Sequence, residues 1–280
     1  MQVYSTIARS FLIAALFTLS MGVASASSQE KIGELTELQR RAEKLYQAGK
    51  YAEAIPFAQR ALELLDKTLG PEHPDIAASL NSLALLYETV GQYAKAEPLY
   101  QRSLTIVEKA LGPDHPTVAL SLHSLAMLYQ ATGQYAKAEP LHQRALAIRE
   151  KALGPDHPDV AQSLNGLAAL YAIIGAYAKA EPLYQRALAI REKALGPDDP
   201  DVAESLHNLA ERYRGTGQYA KAEPLLQRAL AIFEKALGPD DPDVAHSLRN
   251  LAVLYQETGQ YAKAEPLHQR ALAIREKALG

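Results

Sequence analysis

The segment Leu-Gly-Pro-Asp-His-Pro at residues 111–116 recurs along the chain in near-identical form. Self-similarity at a fixed period in this range is typical of a solenoid, in which each unit buries its apolar face against its neighbours. Such an array usually offers an extended surface to another macromolecule. The leucine of the segment recurs every 42 residues, without insertion or deletion, at Leu69, Leu111, Leu153, Leu195, Leu237 and Leu279.

The composition excludes several classes of protein. Apolar residues make up 48% of the 280 residues and charged residues 22%, and the formal net charge is −3. Nothing in this balance favours a nucleic-acid partner. The chain has no cysteine, which excludes disulfides, thiolate catalysis and cysteine-ligated metals.

The first 26 residues depart from the repeat. An apolar stretch from Phe11 to Val23 precedes Ala24-Ser25-Ala26, a small-residue cleavage signal. The pattern predicts a signal peptide at 1–26 and an exported protein, periplasmic or secreted, with no stable membrane insertion after cleavage. An uncleaved anchor is the alternative because the leader is weakly basic, although its apolar run is shorter than a span of about 20 residues.

Each unit carries two helical patterns. The first helix is predicted to begin at Pro74, after a capping His73, and to end at Gly91. A second, longer helix continues to Leu111 and is terminated by Gly112. The apolar face of the first helix has the spacing i, i+3, i+4 and i+7, at Leu80, Leu83, Ala84 and Tyr87.

No group of residues points to catalysis or to a metal. The linker histidines His73, His115 and His157 are interpreted as helix caps, because equivalents in successive units lie roughly 10 Å apart, too far to share one ion. Asp199 and Asp241 take the same position, and aspartate is a good N-cap. No nucleophile, base and orienting acid stand out from the repeating background. The sequence therefore predicts no enzyme, no catalytic residue and no cofactor.

The repeated hairpin resembles the tetratricopeptide repeat (TPR). Asn81-Ser82-Leu83-Ala84 through Tyr87, Gly91, Tyr93, Ala96, Tyr100 and Leu104 match in order its pattern of leucine, small residue, tyrosine, glycine, tyrosine and alanine. The 42-residue form, with Ala-Leu-Ala-Ile-Arg-Glu-Lys in the second helix, is similar to the repeats of kinesin light chains, although the motor-binding coiled coil of that family has no counterpart here.

The resemblance implies an all-α fold, an α-solenoid with a right-handed superhelix of tandem TPR hairpins. The corresponding partition assigns the signal peptide to 1–26 and a divergent N-terminal capping TPR to 27–69. Five tandem units then follow, at 70–111, 112–153, 154–195, 196–237 and 238–280.

Comparison of the units separates a uniform stripe from a varied one. In TPR arrays the varied stripe of the first helices lines a concave groove that holds an extended peptide. By that resemblance the asparagines are candidate backbone clamps, and the histidines and arginines add donors that suit an acidic segment. A solvated helix face that drifts without constraint is the alternative. The candidate groove residues are Asn81, His123, Asn165, His207, Asn208, Glu211, Arg214, Arg249 and Asn250.

The two ends differ from the middle. Polar residues such as Glu37 and Arg41 make the first unit an N-terminal cap. The last unit is expected to expose Leu267, Ala271 and Ile274, which predicts self-association through that end or a missing continuation.

The predicted function is an exported scaffold that binds a protein or peptide. The alternatives are a self-assembling structural protein, a fragment of a larger TPR protein, and the regulatory arm of an enzyme.

Overall fold

The computed structural model of the chain describes residues 26–279, with side chains from residue 31 to residue 278. The predicted signal peptide lies outside the described residues, apart from Ala26, where the first helix begins. Within residues 26–279, every helix is too short or too polar to cross a membrane.

Residues 26–279 fold into six helical hairpins, and each hairpin has a first and a second helix joined by a tight turn. The repeated hairpins form the all-α, α-solenoid architecture that the sequence predicts. The helices are α1 (Ala26–Gln47), α2 (Tyr51–Leu69), α3 (Pro74–Thr89), α4 (Tyr93–Leu111), α5 (Pro116–Ala131), α6 (Tyr135–Leu153), α7 (Pro158–Ile173), α8 (Tyr177–Leu195), α9 (Pro200–Gly215), α10 (Tyr219–Leu237), α11 (Pro242–Glu257) and α12 (Tyr261–Leu279).

The chain divides into two compact units between Ile148 and Arg149, within α6. In the first unit α2 packs against α3, and α4 packs against α5. In the second unit α8 packs against α9, and α10 packs against α11. Within each unit, the second helix of one hairpin therefore covers the first helix of the next.

Packing explains the residues that do not vary between hairpins. The leucine and the alanine that recur in the first helices after α1 are fully buried, which removes their apolar surface from water. In the second unit Leu206 and Leu248 belong to one buried cluster with residues of the neighbouring helices, so the 42-residue period is a property of the core. These residues are Leu80, Leu122, Leu164, Leu206 and Leu248, and Ala84, Ala126, Ala168, Ala210 and Ala252.

The predicted helix caps are confirmed. The backbone N–H of Asp75 donates to Nδ1 of His73 at 3.3 Å, and the N–H of Asp201 donates to Oδ1 of Asp199 at 2.9 Å. His115, His157 and Asp241 cap their helices in the same way. Each cap satisfies one of the free N–H groups at a helix start.

The turn within a hairpin depends on glycine. Helix α3 ends at Thr89, and Gly91 follows with φ of 76°, in the left-handed region that favours a residue without a side chain. The N–H of Gln92 then donates to the carbonyl of Tyr87 at 2.8 Å, closing the turn. The predicted glycine stop is thus confirmed, with the last helical residue two positions earlier.

The two ends agree only partly with expectation. Arg41 of α1 is exposed and pairs with Glu37 at 2.6 Å, and the capping role of this unit stays a prediction. The expectation that Ala271 and Ile274 are exposed is wrong: they are 5% and 4% exposed, because both pack into the core of the second unit. The exposed apolar residue of α12 is Leu272, at 57%.

Candidate functional site

The varied stripe lies on the first helices, and in the first unit it is largely buried. Asn81 is 5% exposed, and its Oδ1 atom has no hydrogen-bond partner. His123 is fully buried on α5, and its ring meets the ring of His142 edge to face with centroids 5.5 Å apart. The structure therefore places His123 inside the packing of a hairpin, where it cannot donate to a guest without rearrangement.

The environment of His142 disfavours its charged form. Its Nε2 atom lies 3.3 Å from Oε1 of Gln130. Burial lowers the pKa of His142 to about 4, because the charged form loses its hydration. At neutral pH the His142 ring therefore carries no charge that could attract an acidic segment.

The second unit buries its own stripe histidine. His207 of α9 lies 3.1 Å from the hydroxyl of Ser247, and its ring contacts those of Phe233 and His246. Burial lowers the pKa of His207 to about 3, and the nearby His246 lowers it further. His207 is therefore a packing residue between helices, and it is neutral at pH 7.

Arg214 does not offer free donors. Its Nη2 atom donates to Glu211 at 2.7 Å, and its Nη1 atom donates to Glu257 of the next hairpin. These hydrogen bonds, above all the one that Arg214 donates to Glu211, raise the pKa of Arg214 above its ordinary value. Two of the predicted groove residues, Glu211 and Arg214, are thus joined to each other and neutralised.

The remaining stripe residues of the second unit keep open polar groups. Arg249 is exposed, and Asn208 and Asn250 are half-buried. Within the part of the chain that the structure describes, these three side chains make no hydrogen bond or ion pair. Asn165 of α7 is half-buried, and its Oδ1 atom is sealed from solvent without a partner.

The structure brings the open residues of α9 and α11 onto neighbouring helices. The contacts of His207 with Ser247 and of Arg214 with Glu257 join these two helices. Arg249 and Asn250 lie on α11 between those two contact points. The arrangement can donate hydrogen bonds to backbone carbonyls and hold one carboxylate.

Three buried arginines lie outside the varied stripe and were not predicted from the sequence. Nη1 of Arg149 donates to the carbonyl of Asp159 at 2.8 Å and to Ser163 at 2.9 Å. Arg191 makes the equivalent contacts one hairpin later. The third, Arg212, stands where the other first helices after α1 carry a core leucine, and that substitution is visible in the sequence.

Within residues 31–278, no group of three or more histidine, aspartate or glutamate side chains is placed to hold a metal ion.

Comparison with known proteins identifies the hairpin. The sequence model of the tetratricopeptide repeat family matches five overlapping stretches, 34–109, 83–151, 117–193, 165–235 and 201–277. No curated protein matches the chain by sequence.

Solved structures share the fold over most of the chain. The nearly identical TPR-like repeats of a Podosopora anserina protein assigned as a kinesin light chain are 33% identical, over 72% of this chain and 96% of that chain, with a TM-score of 0.62. BtubC (BKLC) from P. vanneervenii is 26% identical, over 87% and 92%, with a TM-score of 0.65. A Rap protein complexed with Competence and Sporulation Factor shares the fold at 18% identity, over 87% and 75%, with a TM-score of 0.61. The chain belongs to the tetratricopeptide repeat family, and its repeats are of the kinesin light chain-like kind.

Proposed function

We propose that the chain is an exported scaffold that holds an extended protein segment along the first helices of its hairpins. The TPR solenoid is an architecture typical of protein–protein interaction scaffolds, which supports this function. The related fold of the Rap protein holds Competence and Sporulation Factor, so the architecture is compatible with a bound ligand. The signal-like leader supports export.

The observation that carries the proposal is the group of open donors on α9 and α11. Arg249 and Asn250 are adjacent, and Asn208 lies on the neighbouring helix, all without an internal partner in the described chain. Polar side chains that the fold leaves open, beside a core that does not vary, suit a ligand that brings its own acceptors. Asn165 is half-buried at the equivalent position of α7, whereas Asn81 of α3 is buried and is not open to a ligand in this conformation.

The guest is an extended segment with one acidic group. Arg249 supplies a guanidinium that is not neutralised, whereas Glu211 and Glu257 neutralise Arg214. Asparagine amides donate to backbone carbonyls whatever the side chains of the peptide are. The stripe therefore favours a peptide bound through its backbone and one carboxylate over a strongly acidic peptide.

Binding selection tests this proposal. Peptides are selected from a library on the purified protein, and the affinity of a selected peptide is measured by calorimetry. The variant Arg249→Glu with Asn250→Ala should weaken binding by at least about tenfold, the loss of one charge-assisted contact and one amide contact. The control variant Arg275→Glu with Gln269→Ala makes the same charge change on the exposed face of α12 and should bind normally. Equal affinity in all three proteins would reject the assignment.

Self-assembly is the second candidate. It is favoured by Leu272, which is 57% exposed, whereas the equivalent Leu188 and Leu230 pack partly buried against the core of the second unit. Sedimentation at several protein concentrations tests it, with Leu272→Glu as the comparison. A mass that rises with concentration only in the original protein supports self-assembly, and a monomer throughout rejects it.

A further inference from the structure

Arg212 occupies a core position as a charged residue. The equivalent residues Leu86, Leu128, Leu170 and Leu254 are at most 4% exposed. Arg212 is 7% exposed, and its Nε and Nη1 atoms are sealed from solvent without a hydrogen-bond partner. Within the described residues it makes no ion pair. Two buried guanidinium nitrogens without an acceptor are costly, so their presence calls for an acceptor that the described chain does not supply.

The Arg212 guanidinium lies over an aromatic ring. Its carbon is 4.2 Å from the ring centre of Tyr177, a cation–π contact that supplies no acceptor to the Nε and Nη1 atoms. Tyr177 is 41% exposed, so its ring can move aside to admit a ligand. Tyr184 lies seven residues after Tyr177, about two turns along the same helix and on the same face. Burial raises the pKa of Tyr184 to about 12, and the Arg212 charge acts in the opposite direction.

Tyr184 lacks the acceptor that its counterpart has. In the first unit the hydroxyl of the equivalent Tyr100 donates to Oε2 of Glu88 at 3.0 Å. Ala172 stands where that glutamate would be in the hairpin of Tyr184. The hydroxyl of Tyr184 therefore lacks the carboxylate acceptor that the equivalent position of another hairpin supplies.

The adjacent turn has changed from polar to apolar. In three other hairpins the turn holds a glutamine–threonine hydrogen bond, for example from Nε2 of Gln218 to Oγ1 of Thr216 at 3.0 Å. Ile174 and Ala176 replace that pair in the turn that leads to Tyr177. Ile173 and Ile174 are 53% and 44% exposed, an apolar surface three to four residues from the stacked ring.

We propose that Arg212, Tyr184 and Tyr177, with the turn residues Ile173 and Ile174, form a binding site for a peptide carboxylate flanked by an aliphatic side chain. The guanidinium fork and the phenol hydroxyl donate to the carboxylate oxygens. The isoleucines cover the aliphatic side chain, which removes its apolar surface from water. None of these residues belongs to the varied stripe, so the site does not depend on the proposed groove.

The test uses N-acetyl-leucine, which presents a carboxylate beside an aliphatic side chain, and its amide, which lacks the charge. The protein obtained by expressing the full chain is titrated by calorimetry, and the arginine Nε–H signals are followed by NMR. N-acetyl-leucine should bind saturably with a dissociation constant on the order of 1 mM, as suits so small a ligand. Its amide should bind at least about tenfold more weakly. N-acetyl-leucyl-aspartate amide, which carries its acid on a side chain, distinguishes a chain terminus from an acidic residue as the source.

Three variants make the outcome decisive. Arg212→Leu introduces the residue of the other hairpins, so it should fold, and it should lose binding by at least about tenfold. Arg186→Leu removes an arginine on α8 that pairs with Glu150 and should bind normally. The double variant Ile174→Thr with Ala176→Gln should bind both N-acetyl-leucine and its amide more weakly, while the preference for N-acetyl-leucine over the amide remains. Undetectable binding of N-acetyl-leucine, equal binding of its amide, or unchanged binding by Arg212→Leu overturns the proposal.

Discussion

The hydroxyl of Tyr213 on α9 donates a hydrogen bond to Oε1 of Glu181 on α8 at 3.1 Å, joining two successive hairpins. Gln185 donates to the same hydroxyl at 3.2 Å. The arrangement recurs with Tyr129 in the first unit and Tyr255 in the second. The tyrosine that does not vary in these first helices therefore both fills the core and fixes the register between hairpins.

Tyr213→Phe should lower the free energy of unfolding by about 1 kcal/mol, because it removes these hydrogen bonds while keeping the ring. Urea unfolding followed by circular dichroism measures the change. Tyr219→Phe is the control, since Tyr219 makes no side-chain hydrogen bond in the described part of the chain. An equal loss of unfolding free energy in the two variants would contradict the role assigned to the hydroxyl of Tyr213.

The buried histidines make stability depend on pH. The pKa of His207 is about 3 and that of His142 about 4 in the folded chain, both below the ordinary value of 6.5. The unfolded state therefore binds the proton more readily, so stability is complete above pH 6.5 and falls as the pH decreases towards the folded pKa. The slope is about 1.4 kcal/mol per pH unit for each histidine. His207→Asn introduces the residue type found at the equivalent position Asn165. It should make the loss of stability between pH 6.5 and 4 less steep, and an unchanged slope would contradict the burial of His207.

Arg212→Leu should stabilise the protein by about 1–3 kcal/mol, because leucine replaces a buried charge that has no acceptor. Arg191→Leu is the matched comparison, because Arg191 is equally buried but bonded to Glu204 and Ser205. That variant should be destabilised. Thermal unfolding of both variants measures the contrast, and destabilisation of the Arg212 variant would show that the native chain already satisfies this guanidinium.

Asp241→Ala should destabilise α11 by about 1 kcal/mol, because it removes the side-chain acceptor from the N–H of Asp243 at 2.8 Å. The neighbouring Asp240→Ala removes only an exposed ion pair with Lys277 and should have a smaller effect. Hydrogen exchange at the start of α11 locates the change. Equal protection in the two variants would argue against the cap.

The helices and their caps could be predicted from sequence because both depend on local spacing, as at His73 and Pro74. The burial of His123 could not, since it depends on His142 in the facing helix. The pairing of Arg214 with Glu257 joins residues 43 positions apart, and a comparison of equivalent positions does not reveal it. Ala271 and Ile274 are buried because α11 of the same hairpin already covers them. The prediction that they are exposed considered only the missing next hairpin.

The side-chain amide signals of asparagine test the scaffold function most directly. A peptide selected on the protein is added to saturation, and the Nδ2–H signals are followed by NMR in residue-specific assignments. We expect the signals of Asn165, Asn208 and Asn250 to shift. The signals of Gln185 and Gln227, which donate to the hydroxyls of Tyr213 and Tyr255, should stay in place. Shifts confined to the glutamines of the second helices, with the asparagines unchanged, would contradict it.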